Sequence, residues 1–388
     1  MSFPTARVVR NGVGVSSPRP AAQTGLRACV TLVVAIGTGA AAGAQEPGVH
    51  PNARYLDAPL PPAFTIAVDA AAVAAPFAFS ATPRAAFGSE GDAEADLIGN
   101  IKAALLLPSG DVVVLDDRSS EVRIFDGAGR PMQRLGRAGR GPGEFFHLRA
   151  LAVRSDGRLY VGDLLRRIQV FAPSAAGYRL VGAWQVAVSP VSMCFLGERL
   201  IVQGETMGDS LLQVIGSSGR RIRSFGAIYR SPNAYLNERF GEGMVACDAA
   251  RGLILYAPRT AIGEVRAYRP DGSLEWRVAL GGYQAPRIEE RGGGSRVSPN
   301  PRGEHFLHSL LMLPGRGLLV QVRFHPPQAA RGSLPDTLLH SFLLDPATGR
   351  PLPLGTEFPP IVGASDREAL LVFDDPVPRF EVRALQQR

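Results

Sequence analysis

Cysteine, histidine and tryptophan are scarce in this sequence. Its 388 residues include three cysteines, six histidines and two tryptophans, and 7% of them are aromatic. Three cysteines cannot build the dense disulfide framework of a small secreted scaffold, so a hydrophobic core must hold the fold together. The sequence also lacks a Gly-x-Ser-x-Gly elbow and a nucleotide-binding P-loop. It therefore offers no recognisable catalytic motif.

A strong surplus of charge is also missing once the N-terminal segment is set aside. The chain has 42 Lys and Arg against 35 Asp and Glu, a formal charge of +7. Residues 1–44 contain four arginines and no acidic residue, which leaves 7 − 4 = +3 for the rest. So small a surplus does not predict nucleic acid as a partner.

An apolar run near the N-terminus predicts export. Residues 29–36 are almost entirely apolar, arginines precede them, and small residues follow up to Ala42-Gly43-Ala44. This is the order of a secretory signal peptide with cleavage before Gln45. We therefore expect a signal peptide over 1–44, a secreted or periplasmic monomer, and no stable membrane span after cleavage. A retained N-terminal anchor is the alternative.

Abundant glycine and proline separate short apolar runs over most of the chain. There are 44 Gly and 32 Pro, which suits many short strands better than long helices. Residues 45–62 read as a linker or extended arm, and the fold is expected over 63–388. Four apolar runs recur per unit, as in a propeller blade. The first turn of each unit falls at Gly110, Gly157, Gly197, Arg251-Gly252, Gly315 and Ser365-Asp366.

These turns predict an all-β fold, a single β-propeller of about six four-stranded blades. A second series of turns falls between them, at Asp126-Gly127, Ala176-Gly177, Ser218-Gly219, Asp271-Gly272 and Thr348-Gly349. The last unit is short of strands, and the runs 64–68 and 77–79 can supply its missing edge and close the ring. Cys194 and Cys247 occupy corresponding places in neighbouring units. We expect two buried thiols there, with a disulfide as the alternative.

The first two units carry a family resemblance. Gly141-Pro142-Gly143-Glu144-Phe145 is followed by the run 151–153, Asp156-Gly157, the run 159–163 and Arg167-Ile168-Gln169-Val170-Phe171. Over residues 100–175 the pattern resembles the NHL repeat of six-bladed propellers. The resemblance implies a structural role for two pairs at the turn between the second and third strands, Asp116 with Arg123 and Asp163 with Arg167. A carboxylate–guanidinium contact would fix that turn by paired hydrogen bonds.

Four residues are weak candidates for ligand binding. The glycine-rich segment 136–143 carries Arg137 and Arg140 and reads first as a connector between blades, second as a site for a phosphate, sulfate or carboxylate. His147 and His308 each lie at the start of an inner strand, where a side chain can line the central channel. His305 and His308 do not predict zinc, because residues three apart on a strand point to opposite faces.

Calcium is not predicted either, although Asp92, Glu94 and Asp96 alternate as in a calcium loop. The glycine and closing glutamate that such a loop needs are absent.

The sequence favours a noncatalytic binding propeller for an unknown protein or small molecule, with no cofactor. The alternative is an enzyme resembling the propeller lactonases or lyases, with calcium or another divalent metal in the channel. Its candidate ligands are Asp116, Asp163, Glu205, Asp209 and Asp248. A role in envelope assembly through partner proteins is a third hypothesis.

Overall fold

The computed structural model describes the chain in nine ranges, all within the unit Gln45–Arg388. They are 54–55, 62–88, 98–204, 210–230, 241–260, 262–291, 294–327, 337–373 and 378–388. The expected signal peptide, the calcium-like segment around Asp92, Glu94 and Asp96, and the pair Glu205 and Asp209 lie outside these ranges. No helix within them has the length and apolar character needed to cross a membrane.

Strands and turns make up nearly all of the described chain, and the strands form six blades. Four strands precede the first blade: β1 Arg54–Tyr55, β2 Phe64–Ala67, β3 Phe77–Phe79 and β4 Ala85–Phe87. Blade 1 contains β5 Ile101–Leu106, β6 Val112–Asp116, β7 Glu121–Phe125 and β8 Pro131–Leu135. Blade 2 contains β9 Leu148–Val153, β10 Leu159–Asp163, β11 Arg167–Ser174 and β12 Gly177–Gln185.

The remaining blades follow in chain order. Blade 3 contains β13 Pro190–Leu196, β14 Arg199–Gly204, β15 Leu212–Ile215 and β16 Arg221–Phe225, and is followed by β17 Tyr229–Arg230. Blade 4 contains β18 Gly243–Asp248, β19 Leu253–Pro258, β20 Glu264–Tyr268 and β21 Leu274–Gly281, and is followed by the hairpin β22 Arg287–Arg291 and β23 Gly294–Ser298. Blade 5 contains β24 Glu304–Leu313, β25 Gly317–His325, β26 Leu338–Leu344 and β27 Pro351–Gly355. Blade 6 contains β28 Ile361–Ala364, β29 Glu368–Phe373 and β30 Arg379–Gln387.

Every turn used to count the blades lies where the sequence predicts it. The six first turns join the first and second strands of the six blades, and the second series joins the third and fourth strands of blades 1 to 5. Gly110 and Gly157 have φ angles of 89° and 81°. A side chain is strained in this left-handed region, so glycine at these turns is a backbone requirement. The predicted all-β propeller of six blades is therefore confirmed.

The N-terminal segment closes the ring, but it uses different residues from those expected. β3 and β4 both pair antiparallel with β30, and together they form the outermost strand of blade 6. The prediction for 77–79 is therefore correct, and that for 64–68 is wrong. β2 instead runs parallel to β21 as a fifth strand on blade 4. Blade 6 has no room for it, because β4, which the sequence did not reveal, takes the rest of the β30 edge.

One arginine fastens this closure to its neighbours. The Arg84 guanidinium, between β3 and β4, contacts both carboxylate oxygens of Glu368 on β29, at 2.6 and 3.0 Å. The same side chain donates to the Gly110 carbonyl oxygen of blade 1 at 3.0 Å. Further upstream, Arg54 and Tyr55 pair through the backbone with Arg230 and Tyr229, respectively. The segment expected as an arm therefore includes a short strand.

The core of the ring is divided among the blade interfaces. The described residues form six hydrophobic clusters, and each joins two neighbouring blades, including blades 6 and 1. Phe87, for example, stacks between Phe125 of blade 1 and Phe380 of blade 6, with ring centroids 4.4 and 5.3 Å away. Because a fully buried aliphatic or aromatic side chain contributes about 1.5–3 kcal/mol, these interfaces dominate the stability of the fold.

Cys194 and Cys247 form a disulfide, which corrects the expectation of two buried thiols. Their Cα atoms are 5.7 Å apart. Cys194 lies opposite Ile201 in blade 3 and Cys247 lies opposite Ile254 in blade 4, so both occupy the inner strands of adjacent blades. Inner strands converge on the axis of a propeller, and this brings equivalent positions within bonding distance.

Removing the disulfide should lower the free energy of unfolding without changing the fold. The bond closes a loop across 53 residues, for which the chain-entropy relation gives about 4 kcal/mol. We expect the double variant Cys194→Ala, Cys247→Ala to lose up to that amount in urea unfolding of the mature chain. Reducing the native protein should reproduce the loss. Equal midpoints for the variant and the oxidised native protein would show that the bond is not formed.

A buried histidine lies at the interface of blades 4 and 5. His305 is 4% exposed, and its Nδ1 accepts a hydrogen bond from the Gln284 backbone N–H at 2.8 Å. Its ring stacks on Tyr283, at 5.1 Å between centroids, and lies 5.9 Å from the ring of His340. Burial, with a smaller contribution from His340, lowers the pKa of His305 to about 4. The imidazole is therefore neutral in the folded protein at neutral pH.

This histidine should make the protein less stable in acid. The unfolded chain takes up a proton at His305 near pH 6.5 and the folded chain only near 4. Stability is therefore present above about pH 6.5 and is lost as the pH falls toward 4. When the pH is lowered from 7.5 to 4, the free energy of unfolding of the variant His305→Gln should fall by up to about 3 kcal/mol less than that of the native chain. Urea unfolding of both proteins at both pH values measures this, and the difference between the two proteins at pH 7.5 is subtracted as the baseline. An identical acid loss in both proteins would contradict it.

Candidate functional site

A cavity of about 930 Å³ lies among the first strands of all six blades. Its walls include residues of β5, β9, β13, β18, β24 and β28. These are the strands that converge on the axis of the ring, so this cavity is the central channel that the propeller predicts. The side chains along it differ from one end of the inner strands to the other.

Charged side chains lie where the inner strands begin, and we call this end the mouth of the channel. Lys102 and Arg149 are the second residues of β5 and β9. Asp117 and Arg259 each directly follow a second strand, β6 and β19, and Glu242 directly precedes β18. With Arg323 of β25, the lining residues within the described ranges include four basic and two acidic side chains, a formal charge of 4 − 2 = +2.

Each acidic side chain at the mouth faces more than one cationic or basic group. Glu242 Oε1 lies 3.7 Å from Arg149 Nη2 and 3.2 Å from Arg259 Nη1. Asp117 Oδ2 lies 3.9 Å from Lys102 Nζ and 3.7 Å from His147 Nδ1. Each of the two carboxylates is thus shared between two neighbouring groups.

Both candidate histidines line this cavity. His147 directly precedes β9, its side chain is 61% exposed, and its φ angle is 55°. A non-glycine residue in this left-handed region is held there by its surroundings. In this case Asp117 Oδ1 accepts the backbone N–H of the next residue, Leu148, at 2.9 Å. His308 lies at a register shift between β24 and β25. Its binding role, like that of His147, stays a prediction.

His305 and His308 lie in different surroundings, as the strand argument predicts. His305 is buried between blades 4 and 5, whereas His308 reaches the channel. Within the described residues, no group of three or more His, Cys, Asp or Glu could hold a metal ion.

The glycine-rich loop carries Arg137 and Arg140 away from the channel lining. Glu144 of the same loop accepts the Arg137 guanidinium at 2.8 Å, and its other oxygen accepts the backbone N–H groups of Arg140 and Gly141 at 3.1 and 2.9 Å. The Glu144 carboxylate therefore lies where a bound phosphate, sulfate or carboxylate would lie if this loop were an anion site. Arg140 lies over the Phe146 ring, 5.0 Å from its centroid. The geometry favours the connector reading.

The two turn pairs are in contact. Arg167 Nη2 lies 2.6 Å from Asp163 Oδ2, and Arg123 Nη2 lies 3.2 Å from Asp116 Oδ2. Both aspartates are 1% exposed. Arg167 also donates to the carbonyl oxygen of Glu144 at 2.7 Å. It therefore ties blade 2 to the loop that enters it.

The three described carboxylates of the metal-dependent alternative, Asp116, Asp163 and Asp248, are not among the residues that line the channel. Asp116 accepts the N–H groups of Gly99 and Asn100 at 3.2 and 3.0 Å. Asp248 ends β18 at the opposite end of the channel from the mouth, and it accepts the N–H of Ala250 and the Arg251 guanidinium at 3.1 and 3.0 Å. Each of these oxygens already serves a turn or a blade entry. The described candidates therefore do not form a metal-binding set.

Sequence reasoning missed the charged residues of the mouth. Lys102 and Arg149 interrupt otherwise apolar inner strands, Ile101-Lys102-Ala103 and Leu148-Arg149-Ala150, and that interruption is a usable signal. Arg259 and Asp117 share the position directly after a second strand. Arg323 and Glu242 do not interrupt an apolar inner strand. Their places could not be recognised from the sequence, because the strands of blades 4 and 5 do not begin and end at the same spacing from the turns as those of blades 1 and 2.

Comparison with known proteins supports the fold. Residues 93–200 match a family model described as a 6-bladed beta-propeller. No curated protein matches the chain. Among solved structures, a protein of Bacteroides fragilis inferred to be exported is 12% identical, with a TM-score of 0.50 over 84% of this chain and 99% of the other. A protein of Bacteroides vulgatus is 9% identical, with a TM-score of 0.50 over 80% and 99%.

Another match has a lower TM-score. Virginiamycin B lyase from Staphylococcus aureus is 8% identical, with a TM-score of 0.42 over 74% of this chain and 95% of the other. Identities this low show only a likeness of fold. By its own strands and by the family model, the chain is a six-bladed β-propeller.

Proposed function

We propose that this protein is an exported binding propeller that captures an anionic ligand at the mouth of its central channel and does not transform it. The observation that carries the proposal is the surplus of positive charge among the channel-lining residues that the structure describes, four basic side chains against two acidic ones. A concave site with a net charge of one sign attracts ligands of the opposite sign.

The arrangement of these charges supports an anion in particular. Arg149 and Arg259 share the single carboxylate of Glu242, and Lys102 and His147 share that of Asp117. Arg149 and Arg259 are two cations on one carboxylate, so they repel each other, and an added anion relieves that repulsion. Guanidinium groups also bind carboxylate and phosphate oxygens in a fixed geometry. A carboxylate or phosphate is therefore the best-matched head group.

We infer the noncatalytic role from where the reactive groups are used. Asp116 and Asp163, which a channel enzyme would need as metal ligands, hold backbone N–H groups and arginines of blades 1 and 2. The mouth is left with side chains suited to holding a charge. This supports binding of a small molecule or an acidic segment of a protein. We propose, from the sequence alone, that the protein is a monomer that uses no cofactor and binds no nucleic acid.

We also infer that the protein works outside the cytoplasm, released from a signal peptide over 1–44. Disulfides persist mainly in oxidising compartments, and the Cys194–Cys247 bond supports that setting. The contacts of Asp116 with Arg123 and of Asp163 with Arg167 support an NHL type for blades 1 and 2.

Neutralising one cation at the mouth should weaken anion binding. We expect citrate, a small multivalent carboxylate, to bind the mature protein in calorimetric titrations at constant ionic strength. Lys102→Gln and Arg259→Gln should each weaken it about tenfold, because a hydrogen bond to a charged group is worth about 1.5–3 kcal/mol. Arg350→Gln, which removes an exposed arginine on an outer turn of blade 5, is the matched control and should bind as the native protein does.

Two results would refute the proposal. One is equal citrate affinity in the native protein and both mouth variants, which would place binding elsewhere. The other is an absence of binding to citrate and inorganic phosphate alike. Stoichiometric metal in the purified protein, together with hydrolysis of a lactone, would instead favour the enzyme.

A further inference from the structure

We infer that the ligand is an amphiphilic anion, a carboxylate or phosphate that carries an apolar chain, whose head lies at the mouth and whose chain extends down the channel. This inference rests on the proposed function, because it assigns the head group to the same cationic residues. It adds what fills the rest of the cavity.

The turns of three blades define the mouth level. In blades 1, 2 and 5 the first turn begins with a hydrogen bond to the carbonyl oxygen of Leu107, Arg154 and Leu313. Lys102, Arg149 and His308 each lie five residues before that position (107 − 102, 154 − 149 and 313 − 308). Three of the six inner strands therefore present a basic side chain at the same height.

A second level lies three residues further along the inner strands. Leu105 follows Lys102 by three residues and Leu311 follows His308 by three, which is about 10 Å along a strand. Leu105 and Leu311 each pair with a residue near the start of the second strand of their blade. Cys194 and Cys247 pair in the same way in blades 3 and 4, so they lie at the same level. All four line the cavity.

The deeper level is apolar. Leu105, Leu151, Leu311 and Met312 line it together with the disulfide. Of the lining residues that the structure describes, those at and below this level carry no charge. The two serines just above it use their hydroxyl groups within the wall: Ser192 accepts the Val245 N–H at 3.1 Å, and Ser309 donates to the Ile361 carbonyl oxygen at 2.7 Å. This depth suits a hydrocarbon chain or an aromatic ring.

The size of the cavity also argues against a bare anion. Its volume of about 930 Å³ lies at the upper end of the roughly 300–1,000 Å³ typical of sites for drug-sized ligands. A phosphate or acetate would occupy the mouth alone and leave the apolar depth filled with water. A chain that displaces this water gains the free energy of burying apolar surface.

A series of probes with one head group and increasing chain length tests the inference on the native mature protein. We expect acetate, hexanoate and decanoate to bind with rising affinity, by two- to fourfold for each methylene that enters the channel. Decanoate should also raise the melting temperature more than acetate at equal concentration. Decyltrimethylammonium, whose alkyl chain is one carbon longer and whose charge is opposite, should bind at least tenfold more weakly than decanoate.

Variants at the two levels separate the head from the chain. Lys102→Gln should weaken acetate and decanoate by the same factor. Leu105→Gln and Leu311→Gln should lower the affinity for decanoate toward that for acetate and leave acetate unchanged. Arg350→Gln should change neither. If a deep variant fails to fold, the chain-length series on the native protein still decides the question.

The outcomes distinguish this inference from the proposed function. Equal affinities for acetate and decanoate, both weakened by Lys102→Gln, would overturn the amphiphilic ligand and leave anion binding in place. Equal affinities for decanoate and decyltrimethylammonium would overturn both, because the channel would then be a site for apolar chains of either charge. Decanoate affinity that is unchanged in the two deep variants, once these are shown to be folded, would place the chain elsewhere and overturn the inference.

Discussion

Burial of apolar surface between neighbouring blades is the constraint on which the whole structure depends. A four-stranded sheet alone leaves both faces of its inner strands open to water, whereas each blade of a closed ring covers the next. Six clusters of buried residues cover these faces. The cluster between blades 6 and 1 includes Phe87 of the N-terminal segment, which stacks between Phe125 and Phe380. Closure of the ring is therefore a packing event as well as a pairing of strands.

The channel is a consequence of that closure. Once six first strands converge, whatever side chains they carry at a given height must meet, and distant parts of the chain become neighbours. Lys102 and Asp117 from blade 1 share the mouth with Arg259 from blade 4 and Arg323 from blade 5. The same convergence joins Cys194 to Cys247. Charges are tolerated here because the mouth is open to water, while the apolar blade interfaces behind it supply the stability.

The sequence predicted the ring well because turns and alternating strands are local features. Gly110 and Gly157 mark first turns through a backbone requirement that a sequence displays directly. It predicted the closing strand less well, because residues 64–68 and 77–79 have similar apolar patterns, and only their partners distinguish them. The edge that a short strand joins depends on which other strands occupy that edge, and β4, with three residues, is too short to give a recognisable strand pattern in the sequence.

The site was harder to foresee because it is assembled across blades. The sequence pointed to His147 and His308 through their places at strand starts, and both line the channel, but it gave equal weight to Arg137 and Arg140. At those two the loop supplies its own acceptor, since Glu144 accepts the Arg137 guanidinium and the Gly141 backbone N–H. A charged residue inside an apolar inner strand is the more informative signal. Lys102 and Arg149 cannot face a blade interface without desolvating their charge at a cost, so their position in the strand already implies the channel.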